Sequence, residues 1–247
     1  MKYYRVLKQE LKYPVSDNAK LLHIYLLDKI IISQLPSIKL PSVRTISEKL
    51  SINKNYVSKY IHELREAGLI TTKLSNGQTK VYVSVNVINP NTNEIEQITN
   101  PSIWLSRGDG NKSQYSLYPY KLVSEEFLSS DLSAGRKICY MCFKHCCENR
   151  RLQSFSAKIV CSDKTFNLNY RTVKEYISDL EKQGWINLQL VNPNIPRLGY
   201  KSITFNDTPV IKERAKLNQS QFISNEVSNT PSDPNNRSTP ASLFRLV

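Results

Sequence analysis

Between Asn18 and Ser33 the apolar residues Leu22, Leu26 and Ile30 recur at helical spacing, with Leu27 and Ile31 beside them. This predicts a helix with a wide buried stripe, capped by Ser16 or Asp17. Pro36 ends the segment, and Ser42 opens a short helix over Val43–Leu50, with Val43, Ile46 and Leu50 turned inward. After a tight turn at Ser51-Ile52, Asn53 caps a third helix in which Val57, Tyr60, Ile61 and Leu64 keep the helical period. Gly68 suits a left-handed helix end. Two β-rich stretches follow, Leu69–Leu74 and Val81–Val85, and the Asn76-Gly77 dipeptide between them is a strong hairpin signal. Helix, helix, turn, helix and hairpin in that order describe a winged helix-turn-helix.

The same pattern returns later in the chain. Residues 4–70 align with 120–186 at a constant offset of 116 without a gap. Over residues 53 to 70 seven of eighteen positions are identical: Asn53/Asn169, Val57/Val173, Tyr60/Tyr176, Ile61/Ile177, Leu64/Leu180, Gly68/Gly184 and Ile70/Ile186. Helical periodicity alone would match apolar positions, but not the capping Asn and the helix-ending Gly as well. The second copy is expected to hold a helix over 134–148, a third helix opening at Asn169, and a wing of Trp185–Val191 and Tyr200–Phe205 with a longer tip.

The fold expected is therefore mostly α with small β-wings, an α+β chain of two tandem winged helix-turn-helix domains related by internal duplication. The first covers 1–88 and the second 120–206. Residues 89–119, with two Asn-Pro pairs and Gly108-Asp109-Gly110, form a connector in which Ile103, Trp104 and Leu105 are expected to dock on a neighbouring module. Residues 207–247 offer a short helix at Val210–Leu217. They then turn rich in Ser, Asn, Thr and Pro, too polar to fold alone, so the tail is expected to be largely disordered.

Charge narrows the partner. The 247 residues carry a formal net charge of +13, distributed as +8 over 1–85, −1 over 86–119, +5 over 120–206 and +1 over 207–247. The excess sits on the two repeated modules, which points to basic faces on folded domains and to nucleic acid as partner. Met1 to Pro14 lacks the apolar stretch of a signal peptide, and Leu21–Ile32 is too short and too interrupted to span a bilayer. A cytoplasmic protein without membrane contact is expected.

In a helix-turn-helix the third helix enters the major groove with its N-terminal residues at the base edges. The face opposite the core offers Lys54, Asn55, Ser58, Lys59 and His62 in the first copy. In the second it offers Tyr170, Arg171, Thr172, Lys174 and the acidic Glu175. Asn can bond adenine bidentately, and the Arg fork matches the acceptor pair of guanine. Lys73, Lys80, Arg197 and Lys201 on the wings are candidates for flanking phosphates, the plainer reading being solvated charge. Tyr56 and Tyr60 read as packing residues.

Five cysteines crowd into residues 139–161, in the run Cys139-x-x-Cys142-x-x-His145-Cys146-Cys147 followed by Cys161. One helix encloses zinc poorly, and the repeat aligns Cys142 and Cys146 with core positions Leu26 and Ile30, so packing is the expected role and no metal is called for. The three histidines are scattered and no phosphate-binding Gly-Lys-Ser/Thr loop occurs, so neither an enzyme nor a cofactor is expected.

The first module resembles the N-terminal domain of plasmid replication initiators of the RepA type from low-GC Gram-positive bacteria. The resemblance rests on Tyr3-Tyr4-x-Val6-Leu7, on Ser16-x-x-Ala19-Lys20-Leu21-Leu22-x-x-Tyr25-x-Leu27-x-Lys29 and on Leu64-Arg65-Glu66-Ala67-Gly68-Leu69-Ile70, about a quarter of the chain. The family's acidic insertion between the first two helices is missing, and the second half is a copy of the module. The resemblance implies a sequence-specific double-stranded DNA-binding protein acting as an initiator or origin-binding accessory factor of a mobile element. A transcriptional regulator of such an element is the second reading, and a winged-helix protein-interaction adaptor the third. Two modules in one chain suit two half-sites about one helical turn apart. Replication or conjugation proteins are further candidate partners through the C-terminal tail. There Ser242-Leu243-Phe244 resembles peptides that dock on the bacterial sliding clamp, with Pro240 where Gln is usual. The plainer reading is an apolar end with no partner.

Overall fold

In the computed structural model Ser16 starts the first long helix, its hydroxyl oxygen accepting the backbone N–H of Ala19. The residues described are 2–88, 95–99, 101, 120–147, 161, 169–190 and 201–210. Strand β1 (Tyr3–Leu7) precedes α1 (Asp17–Ser33), and β2 (Ile38–Lys39), α2 (Val43–Leu50) and α3 (Val57–Glu66) follow. The hairpin of β3 (Ile70–Ser75) and β4 (Gln78–Val83) closes on Asn76 and Gly77, both at positive φ, as a tight two-residue turn requires. β2 joins the far side of β4, giving the order β2-β4-β3.

The core of this half is built by Leu22, Leu26, Leu27 and Ile30 of α1 against Ile46, Leu50, Val57, Leu64, Val81 and Val83. Val43 departs from the sequence expectation: at the first position of α2 it is 40% exposed, because the helix turns inward only from Ile46. The third helix also opens differently, with a 3-10 turn over Lys54–Tyr56 before α3. A further hairpin of β5 (Val85–Ile88) and β6 (Ile95–Ile98) lies partly in the stretch read as connector. Gln97 Nε2 donates to the Gly68 carbonyl, tying that hairpin to the end of α3. Ile103, Trp104 and Leu105 lie outside the described residues.

The second half has β7 (Tyr120–Ser124), α4 (Glu125–Leu128), α5 (Ala134–Cys147), α6 (Tyr170–Lys182) and the paired strands β8 (Ile186–Leu190) and β9 (Lys201–Phe205). Apart from Cys161, the residues that align with α2, and the tip between β8 and β9, lie outside the described residues. α3 and α6 end alike. Gly68 and Gly184 sit at positive φ, Leu69 N–H bonds to Leu64 O at 2.9 Å, and Trp185 N–H bonds to Leu180 O at 2.9 Å. Each is the closing bond of a helix that stops at glycine.

Met1–Val210 forms one compact unit, while Ile211–Val247, including nearly all of the expected short tail helix, lies outside the described residues. The two halves are joined by a pairing that the sequence pattern did not predict. β1 runs antiparallel to β7, with Tyr4 opposite Val123, Arg5 opposite Leu122, Val6 opposite Lys121 and Leu7 opposite Tyr120. α1 packs on α5 across the same junction. Lys137 of α5 is buried and donates from Nζ to the carbonyls of Leu50 (2.8 Å) and Leu128 (2.6 Å). Lys49 pairs with Glu125 at 2.8 Å nearby. The chain is thus a mixed α/β fold with small antiparallel sheets. No helix among the described residues is long and apolar enough to cross a membrane.

Candidate nucleic-acid interface

Two asparagines set the geometry of the candidate site. Asn53 Oδ1 accepts the backbone N–H of Asn55 at 3.0 Å, and Asn169 Oδ1 accepts that of Arg171 at 2.9 Å. Asn169 caps α6 directly, whereas Asn53 caps the 3-10 turn that leads into α3, and each fills one of the free donors there. Neither helix start carries a carboxylate in its first turn, so the partial positive charge of the helix end is unopposed by its own side chains.

Beyond the caps the apolar residues turn inward: Val57 and Leu64 in α3, Val173, Ile177 and Leu180 in α6 are buried. The same rotation turns Lys54, Asn55, Ser58, Lys59 and His62 outward on the first helix, all exposed. On the second, Tyr170, Arg171 and Lys174 are exposed and Thr172 is half-buried. Lys174 Nζ lies 5.4 Å from the Tyr170 ring, and His62 faces Glu66 at 3.6 Å, one turn on. Glu175 also reaches solvent. Tyr56 was expected to pack but is 52% exposed, since the 3-10 turn rotates it away from the core. Tyr60 is half-buried, with its hydroxyl accepting from Asn18 Nδ2.

The β2-β4-β3 sheet adds a row of cations. Lys80 on β4 stands opposite Lys73 on β3 on one side and Lys39 on β2 on the other. Directly paired residues point to the same face of a sheet, and it is the face opposite buried Val81 and Val83. None of the three meets a carboxylate among the described residues, and Lys73 lies 5.5 Å from the Tyr82 ring. Like charges placed opposite each other on a sheet repel, and a bound anion relieves that cost. Lys39 was missed from the sequence because its place in the row depends on strand pairing 41 residues away in the chain. At the wing tip Leu74 is 78% exposed. Lys201 begins β9, opposite Leu190, while Arg197 lies outside the described residues.

The cysteine cluster is packed rather than presented. Cys139 and Cys142 are fully buried on α5, and burial pushes both thiols well above their ordinary range. Among the described residues no set of three or more His, Cys, Asp or Glu is arranged to hold a metal ion. No family model, characterised protein or solved structure matches this chain.

Proposed function

We propose that the chain is a sequence-specific double-stranded DNA-binding protein built from two winged helix-turn-helix modules, and that it serves a plasmid or similar mobile element at its replication origin. One observation carries the DNA-binding part. Two helices, opened by repeat-equivalent Asn caps, each present an exposed polar and cationic face with no carboxylate in the first turn. Such a face is suited to the major groove, with Asn55 and Arg171 placed as base readers and Lys54, Lys59 and Lys174 as phosphate partners. The lysine row on the first wing suits the flanking backbone. The origin role rests on the resemblance of the first module to RepA-type initiators.

Mobility-shift titration of the full chain on duplex DNA, repeated over a range of salt, tests the reading. Affinity should fall steeply and linearly on a log–log plot as salt rises. Absence of salt-sensitive duplex binding would contradict it and favour a protein-docking role. Footprinting on the DNA around its own gene then tests the origin assignment, with protection of iterated repeats expected and protection of a promoter alone pointing to regulation.

A further inference from the structure

Resting on the DNA-binding reading, we propose that one chain by itself reads an inverted repeat whose two half-sites differ at a defined base, adenine in one and guanine in the other. The first support is the register between β1 and β7. At the offset of 116, Tyr120 is the copy of Tyr4, Lys121 of Arg5, Leu122 of Val6 and Val123 of Leu7. Tyr4 pairs with the copy of Leu7, and Leu7 with the copy of Tyr4. Arg5 pairs with the copy of Val6, and Val6 with the copy of Arg5. If residue i meets the copy of j, residue j meets the copy of i. That reciprocity belongs to a two-fold axis and is the rule of an isologous dimer interface, here closed within one chain.

The packing of α1 against α5 extends the relation, since α5 occupies the repeat position of α1. Cys142 of α5 lies close enough to Lys20 and Asp17 of α1 to feel both charges. Two modules related by a two-fold axis present their recognition helices to DNA in opposite orientations. A two-fold reader matches an inverted repeat, whereas tandem modules related by translation match a direct one.

The second support concerns what each half reads. Asn55 and Arg171 are repeat equivalents, and each is the second residue after its Asn cap, with its own N–H held by that cap. The two side chains therefore hold the same place relative to their caps, Asn55 in the 3-10 turn that leads into α3 and Arg171 in the first turn of α6. Asn matches the N6/N7 edge of adenine and Arg the O6/N7 edge of guanine, so the half-sites diverge at that position. Lys54 against Tyr170 and Lys59 against Glu175 extend the asymmetry, making the first half-site the more dependent on phosphate.

Selection of the full-length chain from random duplexes, with native mass spectrometry of the recovered complexes, tests the proposal. Two short motifs in opposite orientation, about ten base pairs apart centre to centre, are expected on a duplex carrying one chain. Asn55→Arg, at an exposed position, should change adenine to guanine in one half only and shift that preference by roughly five- to a hundredfold. Motifs in the same orientation, a lone motif, two chains per inverted repeat, or an unaltered motif with Asn55→Arg would each overturn the inference while leaving DNA binding intact. Recovery of no preferred sequence would overturn sequence-specific recognition itself, and this inference with it.

Discussion

The two copies of the module bury different chemistry at the same positions. In the first, His23 is fully buried on α1, with Nδ1 2.8 Å from Glu10 Oε1 and Nε2 2.9 Å from the Ser84 carbonyl. Glu10, also fully buried, accepts the Leu7 N–H through its other oxygen at 2.8 Å. The carbonyl can only accept, so Nε2 carries a proton, and a second proton is shared with the carboxylate at Nδ1. At the copies of these positions stand Cys139, buried, and Glu126, exposed. One module ties its first strand, first helix and wing together with a polar network, and the other fills the space with sulfur.

A second pair of positions inverts polarity. Asp28 Oδ1 accepts the Arg5 N–H at 3.3 Å and its guanidinium at 3.2 Å, holding the outer edge of β1. Burial nonetheless raises the Asp28 carboxyl above its ordinary range, against the lowering effect of Arg5. Its copy, Lys144, donates from Nζ to the Leu122 carbonyl at 2.7 Å and so holds the outer edge of β7. A carboxylate serves a donor and an ammonium serves an acceptor at equivalent places. At positions aligned by the sequence repeat the two halves thus bury different chemistry, His23 and Asp28 in one and Cys139 and Lys144 in the other.

The largest expected effect comes from breaking the polar core. His23→Leu leaves the Glu10 carboxylate buried without its partner and should cost about 3–5 kcal/mol in a denaturant titration. Installing the second module's Cys together with an uncharged amide, His23→Cys with Glu10→Gln, should recover most of that loss. A double variant as unstable as the single one would refute the interchangeability of the two cores.

Next is the strut between the halves. Lys137→Met leaves the Leu50 and Leu128 carbonyls without their buried donor, a loss of about 1–3 kcal/mol. Burial lowers Lys137 to about 8 in the folded chain, with Asp131 acting weakly the other way. Its unfolded value is near 10.4. Between those values the unfolded chain binds more protons than the folded one, so this group's contribution to stability rises with pH across that window. Urea titrations at pH 7.5 and pH 10 should show that rise in the parent and lose this contribution in Lys137→Met.

Smaller effects fall on recognition. Arg171→Ala should relax base preference in one half-site by about 1–3 kcal/mol, and Asn55→Ala in the other, as measured by competition with single-base variants of a selected duplex. Lys54→Ala should weaken binding to all duplexes alike and lower the salt slope by about one. The caps test structure apart from recognition: Asn53→Ala and Asn169→Ala should each cost about 1 kcal/mol of folding stability.

Much of this was legible because the determinants are local. Ser16, Ser42 and Asn169 cap where their side chains suggest, Asn53 caps a 3-10 turn just ahead of the helix expected of it, and Asn76-Gly77 turns the hairpin. The exposed faces of α3 and α6 follow from the apolar period, as do the buried Cys139 and Cys142. The rest depends on partners distant in sequence. β1 and β7 are five-residue strands over a hundred residues apart, so no turn between them announces the pairing. The row of Lys39, Lys80 and Lys73 exists only through strand register, and the lone His23 on an apolar helix says nothing of Glu10. Tyr56 and Val43 sit at helix starts, where one residue of displacement changes the face.

The most direct test of the central claim is a hydroxyl-radical footprint of the full chain on a duplex it has selected, at one chain per duplex. Two protected patches on one face of the DNA, about ten base pairs apart, are expected, with Arg171→Ala weakening one and Asn55→Ala the other. A single patch, or two patches that weaken together with either substitution, would contradict that claim.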